Sequence, residues 1–415
     1  MTLQIDREQL VVELETLGSF TDEVSPALTR VVFGKADSRA RAWLASRCRD
    51  AELAVRYDAI GNMFARWTGS RPELPAIGTG SHIDAIPHSG RFDGTVGVLG
   101  GLEAIRGLKK SGFRPERSIE LLMFTAEEPT RFGIGCFGSR LLSGALDGSA
   151  DQRLKDPDGL TLAELRSAAG YSGSVEEVRL PKDYYDGFVE LHIEQGPLLE
   201  KEKIPIGIVT HIAAPAGLRI SIEGEGGHAG AVLMPGRKDA FCAAAEIVLA
   251  IEQSARTTGA IDTCGTVGKC QIYPGAVNSI PSRVLLEADI RDTDEQRRNA
   301  VLRNVQEACT LVAAQRGVTV KVDTVNADAP AQCSPKIIAA VAESATEIGL
   351  PHKKMVSRAY HDSLFMARIA PIAMIFIPCR GGFSHRPDEY ASPEDIEAGT
   401  RVLASTLAKL SSASA

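Results

Sequence analysis

Three segments of the chain set a histidine in surroundings rich in glycine, proline or acids. Gly80-Ser-His82-Ile-Asp84 closes an apolar run, and Glu190-Leu-His192-Ile-Glu194-Gln195-Gly196 alternates histidine with acids at strand spacing. Gly381-Gly-Phe-Ser-His385-Arg-Pro387 follows a second apolar run. Between the first two lie Asp93, in Gly90-Arg-Phe-Asp-Gly94, and the adjacent acids Glu127 and Glu128. Alone, His82-x-Asp84 also fits a hydrogen-bonded structural histidine, Asp93 a helix cap, and Glu127–Glu128 an exposed acidic turn. Together, His82, Asp93, Glu128, His192 and His385 offer only imidazole nitrogen and carboxylate oxygen. That chemistry suits Zn, Mn or Co better than copper or an iron–sulfur cluster. Five such groups are too many for one open tetrahedral zinc. They suffice for two cations about 3.5–4 Å apart if one carboxylate bridges them, leaving Glu127 free as a base.

Side chains so far apart in sequence need a scaffold that gathers them. Helices are expected over Asp6–Leu17, Ser38–Asp50 and Thr95–Lys110, and strands near Asn62–Trp67, Pro75–Asp84 and Ser118–Thr125. This alternation predicts an α/β domain with a mixed, largely parallel sheet flanked by helices. In such sheets ligands collect beyond the carboxyl ends of the strands, where His82, Glu127 and Glu128 stand. Strand alternation also puts Asp84 on the face of His82, as an acceptor for its second ring nitrogen.

The pattern changes near Ala213. Leu218–Glu223 alternates with period two. A helix over Lys238–Arg256, strands near Gly265–Tyr273 and Arg283–Arg291, a helix over Asp294–Arg316 and a strand over Val318–Val325 follow. That β-α-β-β-α-β order predicts an inserted ferredoxin-like α+β domain over residues 214–327, within a catalytic domain of residues 1–213 and 328–415. His228, in Gly224-Glu-Gly-Gly-His228-Ala-Gly230, falls in the insertion.

A formal net charge of −7 argues against a nucleic-acid partner. No apolar run reaches the roughly 18 residues a membrane span needs. The eight cysteines form no C-x-x-C pair, and the first residues lack a basic, then apolar, export pattern. The expectation is reduced thiols in a cytoplasmic protein.

Taken in order, Gly80-Ser-His-Ile-Asp84, Phe92-Asp-Gly94, Thr125-Ala-Glu-Glu-Pro129, Leu191-His-Ile-Glu-Gln-Gly-Pro197, Gly227-His-Ala-Gly230, Asn278-Ser-Ile-Pro281, Asp289-Ile-Arg291 and Ser384-His-Arg-Pro387 resemble the motifs of the dinuclear-metal amidohydrolases of the M20 peptidase clan. Within the clan they resemble its carbamoylase and allantoate amidohydrolase branch. Ala85-Ile-Pro87, Glu128-Pro-Thr-Arg-Phe-Gly133 and Ser357-Arg-Ala-Tyr-His-Asp-Ser-Leu-Phe-Met-Ala367 look like the ureidoglycolate amidohydrolase subgroup. The resemblance implies two divalent ions per subunit, Mn favoured with Zn as alternative. His82 and His192 would sit on one ion and Glu128 and His385 on the other, with Asp93 bridging. Glu127 would be the general base and Asp84 the partner of His82.

It further implies a homodimer in which His228, Asn278 and Arg291 act across the interface, His228 on the oxyanion and Arg291 on a substrate carboxylate. Gln195, Tyr360 and His361 would be substrate-pocket or orienting groups. The expected reaction is hydrolysis of the ureido C–N bond of ureidoglycolate. Allantoate or an N-carbamoyl amino acid is the alternative substrate. An aminopeptidase, a dipeptidase or a metal-binding relative without turnover is more distant.

Overall fold

The computed structural model describes residues 3–412. Contacts divide the chain into two compact units. The first comprises Met1–Thr210, Gln332–Ser357 and His361–Ala415; the second comprises His211–Ala331 and Arg358–Tyr360.

The first unit is built on a nine-stranded mixed sheet. Its centre is four parallel strands, in the order Ile372–Ile377, Tyr185–Ile193, Ala76–His82 and Ile119–Phe124. Strands covered on both faces read as unbroken apolar runs, and every residue of Ile119–Phe124 and Ile372–Ile377 is buried. Antiparallel strands extend the sheet on both sides: Met63–Trp67 and Ala54–Tyr57 on one, Ile206–Ile212 on the other. The helices Thr95–Lys110, Pro335–Ile348 and Pro393–Ser411 pack on one another and against the parallel strands. Pro393–Ser411 starts as helix chemistry dictates, with proline in its first turn and the Ser392 side chain accepting from the Asp395 N–H. Helices Phe137–Ser143 and Asp362–Met366 pack together, the first also on Ile119–Phe124 and the second on Tyr185–Ile193 and Ile372–Ile377.

The expected helix over Thr95–Lys110 has those bounds in the structure. The helix expected from Ser38 begins at Lys35, and the strand expected to run to Asp84 stops at His82. That early stop matters for the site below.

In the second unit, Ala214–Glu223, Ala240–Arg256, Cys264–Tyr273, Arg283–Asp292, Glu295–Arg316 and Thr319–Ala327 follow one another as β-α-β-β-α-β. The four strands form one antiparallel sheet, with Arg283–Asp292 and Ala214–Glu223 at its centre. Period-two burial is plain along both: Leu218, Ile220 and Ile222, and Val284, Leu286, Ala288 and Ile290, join a core with Ile247 and Ile251 of one helix and Val301 and Val305 of the other. Asp239 and Asp294 cap the two helices through their side chains.

Candidate metal centre

Four of the expected ligands are delivered by one edge of the parallel sheet, the carboxyl end. His82 is the last residue of its strand, His192 the penultimate residue of the next, Glu128 follows Ile119–Phe124, and His385 lies beyond Ile372–Ile377. The fifth, Asp93, precedes Gly94, the N-cap of the Thr95–Lys110 helix. Asp93 does not cap that helix with its side chain; its carboxylate faces the histidines.

The geometry around Asp93 is divided. Oδ1 lies 3.4 Å from His82 Nε2 and 3.2 Å from His192 Nε2. Oδ2 lies 3.3 Å from His385 Nε2, which is in turn 3.3 Å from Glu128 Oε1. Ligands held at about 2.0–2.2 Å around a tetrahedral cation are themselves roughly 3.3–3.6 Å apart. The separations around both Asp93 oxygens fall close to that range, and the two candidate groupings, His82–Asp93–His192 and Asp93–Glu128–His385, share this one carboxylate, so the residues present fit metal coordination. A further grouping, Glu190, His192 and His361, is closed by its own hydrogen bonds. Glu190 Oε1 accepts from Ser81, Oε2 accepts from Ser363, and His361 Nε2 meets Ser357 Oγ.

Electrostatics concentrate positive charge here. Burial opposes protonation of His82, but Glu127, Asp93 and Asp84 outweigh it and raise the imidazole well above its ordinary range. His192 is shifted upward against the same burial by Asp93 and Glu190. Hydrogen bonding to Asp93 and Glu128 pushes His385 up to about 11. Burial works to raise Asp93, yet His192, His385 and His82 hold it well below the usual carboxylate range. Glu127, by contrast, is pushed well above its range, by burial first and by the neighbouring Glu128, Asp362 and Asp93 next. A carboxyl with raised proton affinity, its Oε2 3.8 Å from His82 Nε2, has the properties a general base requires.

Asp84 departs from the expected arrangement. Because the strand ends at His82, the chain turns, and His82 Nδ1 meets the main-chain oxygen of Asp84 at 3.0 Å. The carboxylate, 3.8 Å from that ring, instead accepts from the main-chain N–H groups of Glu127 and Glu128 at 3.2 and 3.0 Å. One residue thus orients the first histidine with its backbone and both acids with its side chain.

Gln195 and His361 also sit in this unit. Gln195 donates through Nε2 to Asp93 Oδ2 at 2.6 Å, and its buried Oε1 has no hydrogen-bond partner among the described residues. His361, 2% exposed, sets its ring edge-on to His192 with centroids 4.6 Å apart. It packs against His192 in the interior.

The other expected residues belong to the second unit. His228 is exposed in a two-residue strand, its Nδ1 accepting from Gly230 and Ala231. Asn278 is exposed, and its main-chain oxygen accepts from Ala229. The Arg291 guanidinium forks onto Asp289 at 2.8 and 2.9 Å. Tyr360 donates to Asp328.

Sequence reasoning passed over Glu389, Ser384 and Cys136. Glu389 accepts from the N–H groups of Phe92 and Asp93, and Ser384 donates to Asp93 Oδ2 at 2.7 Å and lies 2.9 Å from Glu389 Oε2. The Cys136 thiol lies 3.1 Å from Glu127 Oε1. The backbone is unusual here as well. Ala126, Cys136, Gln195 and His385 all have φ between 53° and 59°, a region non-glycine residues enter rarely and at a cost of about 1–3 kcal/mol each.

Residues 78–409 match the model of peptidase family M20/M25/M40. The chain belongs to that family. The family is metal-dependent, which agrees with the N/O clusters just described. Within it, the chain is 52% identical to "Ureidoglycolate hydrolase" of Arabidopsis thaliana, over 99% of this chain and 88% of the relative. It is 32% identical to "Allantoate amidohydrolase" of Bacillus subtilis, over 96% of each. A crystal structure of AtUAH in complex with glyoxylate superposes with a TM-score of 0.91 at 52% identity, covering 99% of both chains, and one with (S)-hydroxyglycine does so equally. These family members share the mixed α/β architecture. None of the described helices is long and apolar enough to cross a membrane.

Proposed function

We propose that this protein is a metal-dependent amidohydrolase that cleaves the ureido C–N bond of (S)-ureidoglycolate, giving glyoxylate, ammonia and carbon dioxide. The observation that carries the metal chemistry is the division of Asp93, one oxygen toward His82 and His192 and the other toward His385. The substrate follows the relative named ureidoglycolate hydrolase, which is 52% identical over nearly the whole chain.

His82, His192, Asp93, Glu128 and His385 would hold two divalent ions, Mn by preference and Zn as the alternative. When bound, the ions supply Lewis acidity that polarises the scissile carbonyl and makes water a competent nucleophile at neutral pH. Glu127 takes the proton from the attacking water and returns it to the departing nitrogen. Asp84 holds the Glu127–Glu128 turn, and Gln195 secures Asp93 while its free Oε1 is available to a substrate N–H. His361 braces His192, and Tyr360 is a pocket-wall group.

The second unit serves as lid and dimerisation domain in this reading. His228 of the partner subunit donates to the developing oxyanion, and the partner subunit's Asn278 and Arg291 bind the substrate carboxylate. The outer strand Cys264–Tyr273 supports a self-association surface: it ends its sheet unpaired and exposes Ile272 and Tyr273, with Val277 beyond them.

A side-by-side assay on ureidoglycolate, allantoate and an N-carbamoyl amino acid, with Mn added, tests the substrate. Glyoxylate and ammonia should be released fastest from ureidoglycolate; preference for either other substrate would overturn the assignment.

A further inference from the structure

Glu127 has two carboxylate oxygens, and a base works only if the correct one faces the water. Oε2 points toward His82 Nε2 at 3.8 Å. The other oxygen meets a sulfur: Cys136 Sγ lies 3.1 Å from Oε1, with both side chains buried. We propose that Cys136 is a positioning residue for the Glu127 carboxylate, its thiol donating to Oε1 so that Oε2 is presented to the reacting water. The proposal rests on Glu127 being the base.

The backbone is arranged for this contact. Three successive N–H groups, of Cys136, Phe137 and Gly138, donate to the main-chain oxygens of Glu127, Ala126 and Thr125 at 2.7, 2.8 and 2.8 Å. The two segments are therefore fixed in register, and the sulfur cannot drift along the acid. Cys136 holds φ 53° and ψ 36° to begin the Phe137–Ser143 helix, a left-handed conformation that only firm surroundings sustain. Ser139, one turn on, donates to Asp362 and anchors the same helix. The thiol stays protonated, because burial, Glu127 and Asp362 all push it well above its ordinary range. An S–H is a weak donor, yet it costs less to bury than a hydroxyl. The other buried cysteines, Cys48, Cys309, Cys333 and Cys379, meet no carboxylate among the described contacts.

The test compares Cys136→Ala, Cys136→Ser and Glu127→Gln in the metal-loaded protein. Losing one buried hydrogen bond to the base should lower kcat about tenfold in Cys136→Ala, with KM and bound metal close to wild type. Cys136→Ser, which restores a donor, should recover most of that loss. Infrared difference spectra give a readout independent of turnover. The Cys136 S–H stretch should lie below those of the other thiols and move upward in Glu127→Gln. Wild-type kcat in Cys136→Ala, a serine variant as slow as alanine, or an S–H band indifferent to Glu127→Gln would each overturn the proposal. If Cys136→Ala fails to fold, the band in wild type and Glu127→Gln still decides. A fully active Glu127→Gln would instead overturn the assignment of the base.

Discussion

Glu389 accepts hydrogen bonds from the main-chain N–H groups of both Phe92 and Asp93, at 2.7 and 3.1 Å. It clamps Asp93 by its backbone, while Ser384 links the carboxylates of the two residues. Glu389 is buried, and that burial, with the charge of Asp93, pushes its carboxyl up to about 7. Glu389→Gln replaces one acceptor oxygen by a donor facing N–H groups or the Ser384 hydroxyl. Metal affinity should fall roughly 10- to 100-fold, as for other residues that orient metal ligands. Metal retained after dialysis against a graded chelator measures this; unchanged retention would show that Asp93 is held without it.

Gly94 is required by space as well as by conformation. Its φ is +66°, and a Cβ there would fall 2.4 Å from His82 Nε2, the atom proposed to ligate metal. Gly94→Ala should therefore lose bound metal and turnover together. The fold should persist by circular dichroism, because the clash is confined to the site. An alanine variant that binds metal normally would contradict this geometry.

Proton and cation compete for the same lone pairs. His385 is pushed up to about 11, so it carries a proton at pH 7 in metal-free protein, and His82 is shifted in the same direction by Glu127, Asp93 and Asp84. Metal ligation needs neutral imidazole, so loading must expel protons. The sign follows: affinity rises with pH and falls on acidification, because the metal-free form binds the extra protons. Titrating metal into weakly buffered apo protein with a pH indicator should show net acidification. Proton uptake, or no change, would contradict the assigned ligands.

The scaffold was legible because its elements follow simple periods. Thr95–Lys110 kept its bounds, and the apolar run at Ser118–Thr125 became a central strand. Imidazoles and acids at strand ends are few, which is why the sequence singles out His82, Glu128, His192 and His385. It does not single out Glu389 and Cys136, since they act on neighbours brought in from 296 and nine positions away, and nothing local marks them. Asp84 was misread for a related reason. Alternation assumes a strand that continues, but the strand ends at His82, and there the main-chain oxygen of Asp84 meets the ring while its carboxylate holds the N–H groups of Glu127 and Glu128.

The proposed homodimer makes a specific demand on mixed subunits. Glu127→Gln and His228→Ala should each be inactive alone. Co-refolded at equal amounts, they should recover about a quarter of wild-type activity, because half the dimers are mixed and each holds one intact site. No recovery, with heterodimers present by mass spectrometry, would place His228 in the site of its own subunit, and an active His228→Ala would place it outside catalysis.

The account stands on five side chains holding two cations around Asp93. Its most direct test is a stepwise Mn titration of chelated protein, counting bound ions per chain while following glyoxylate release from ureidoglycolate. Two ions should bind, with turnover rising chiefly as the second site fills and vanishing in the chelated form. Fewer than two tightly bound ions, or turnover unaffected by their removal, would contradict it.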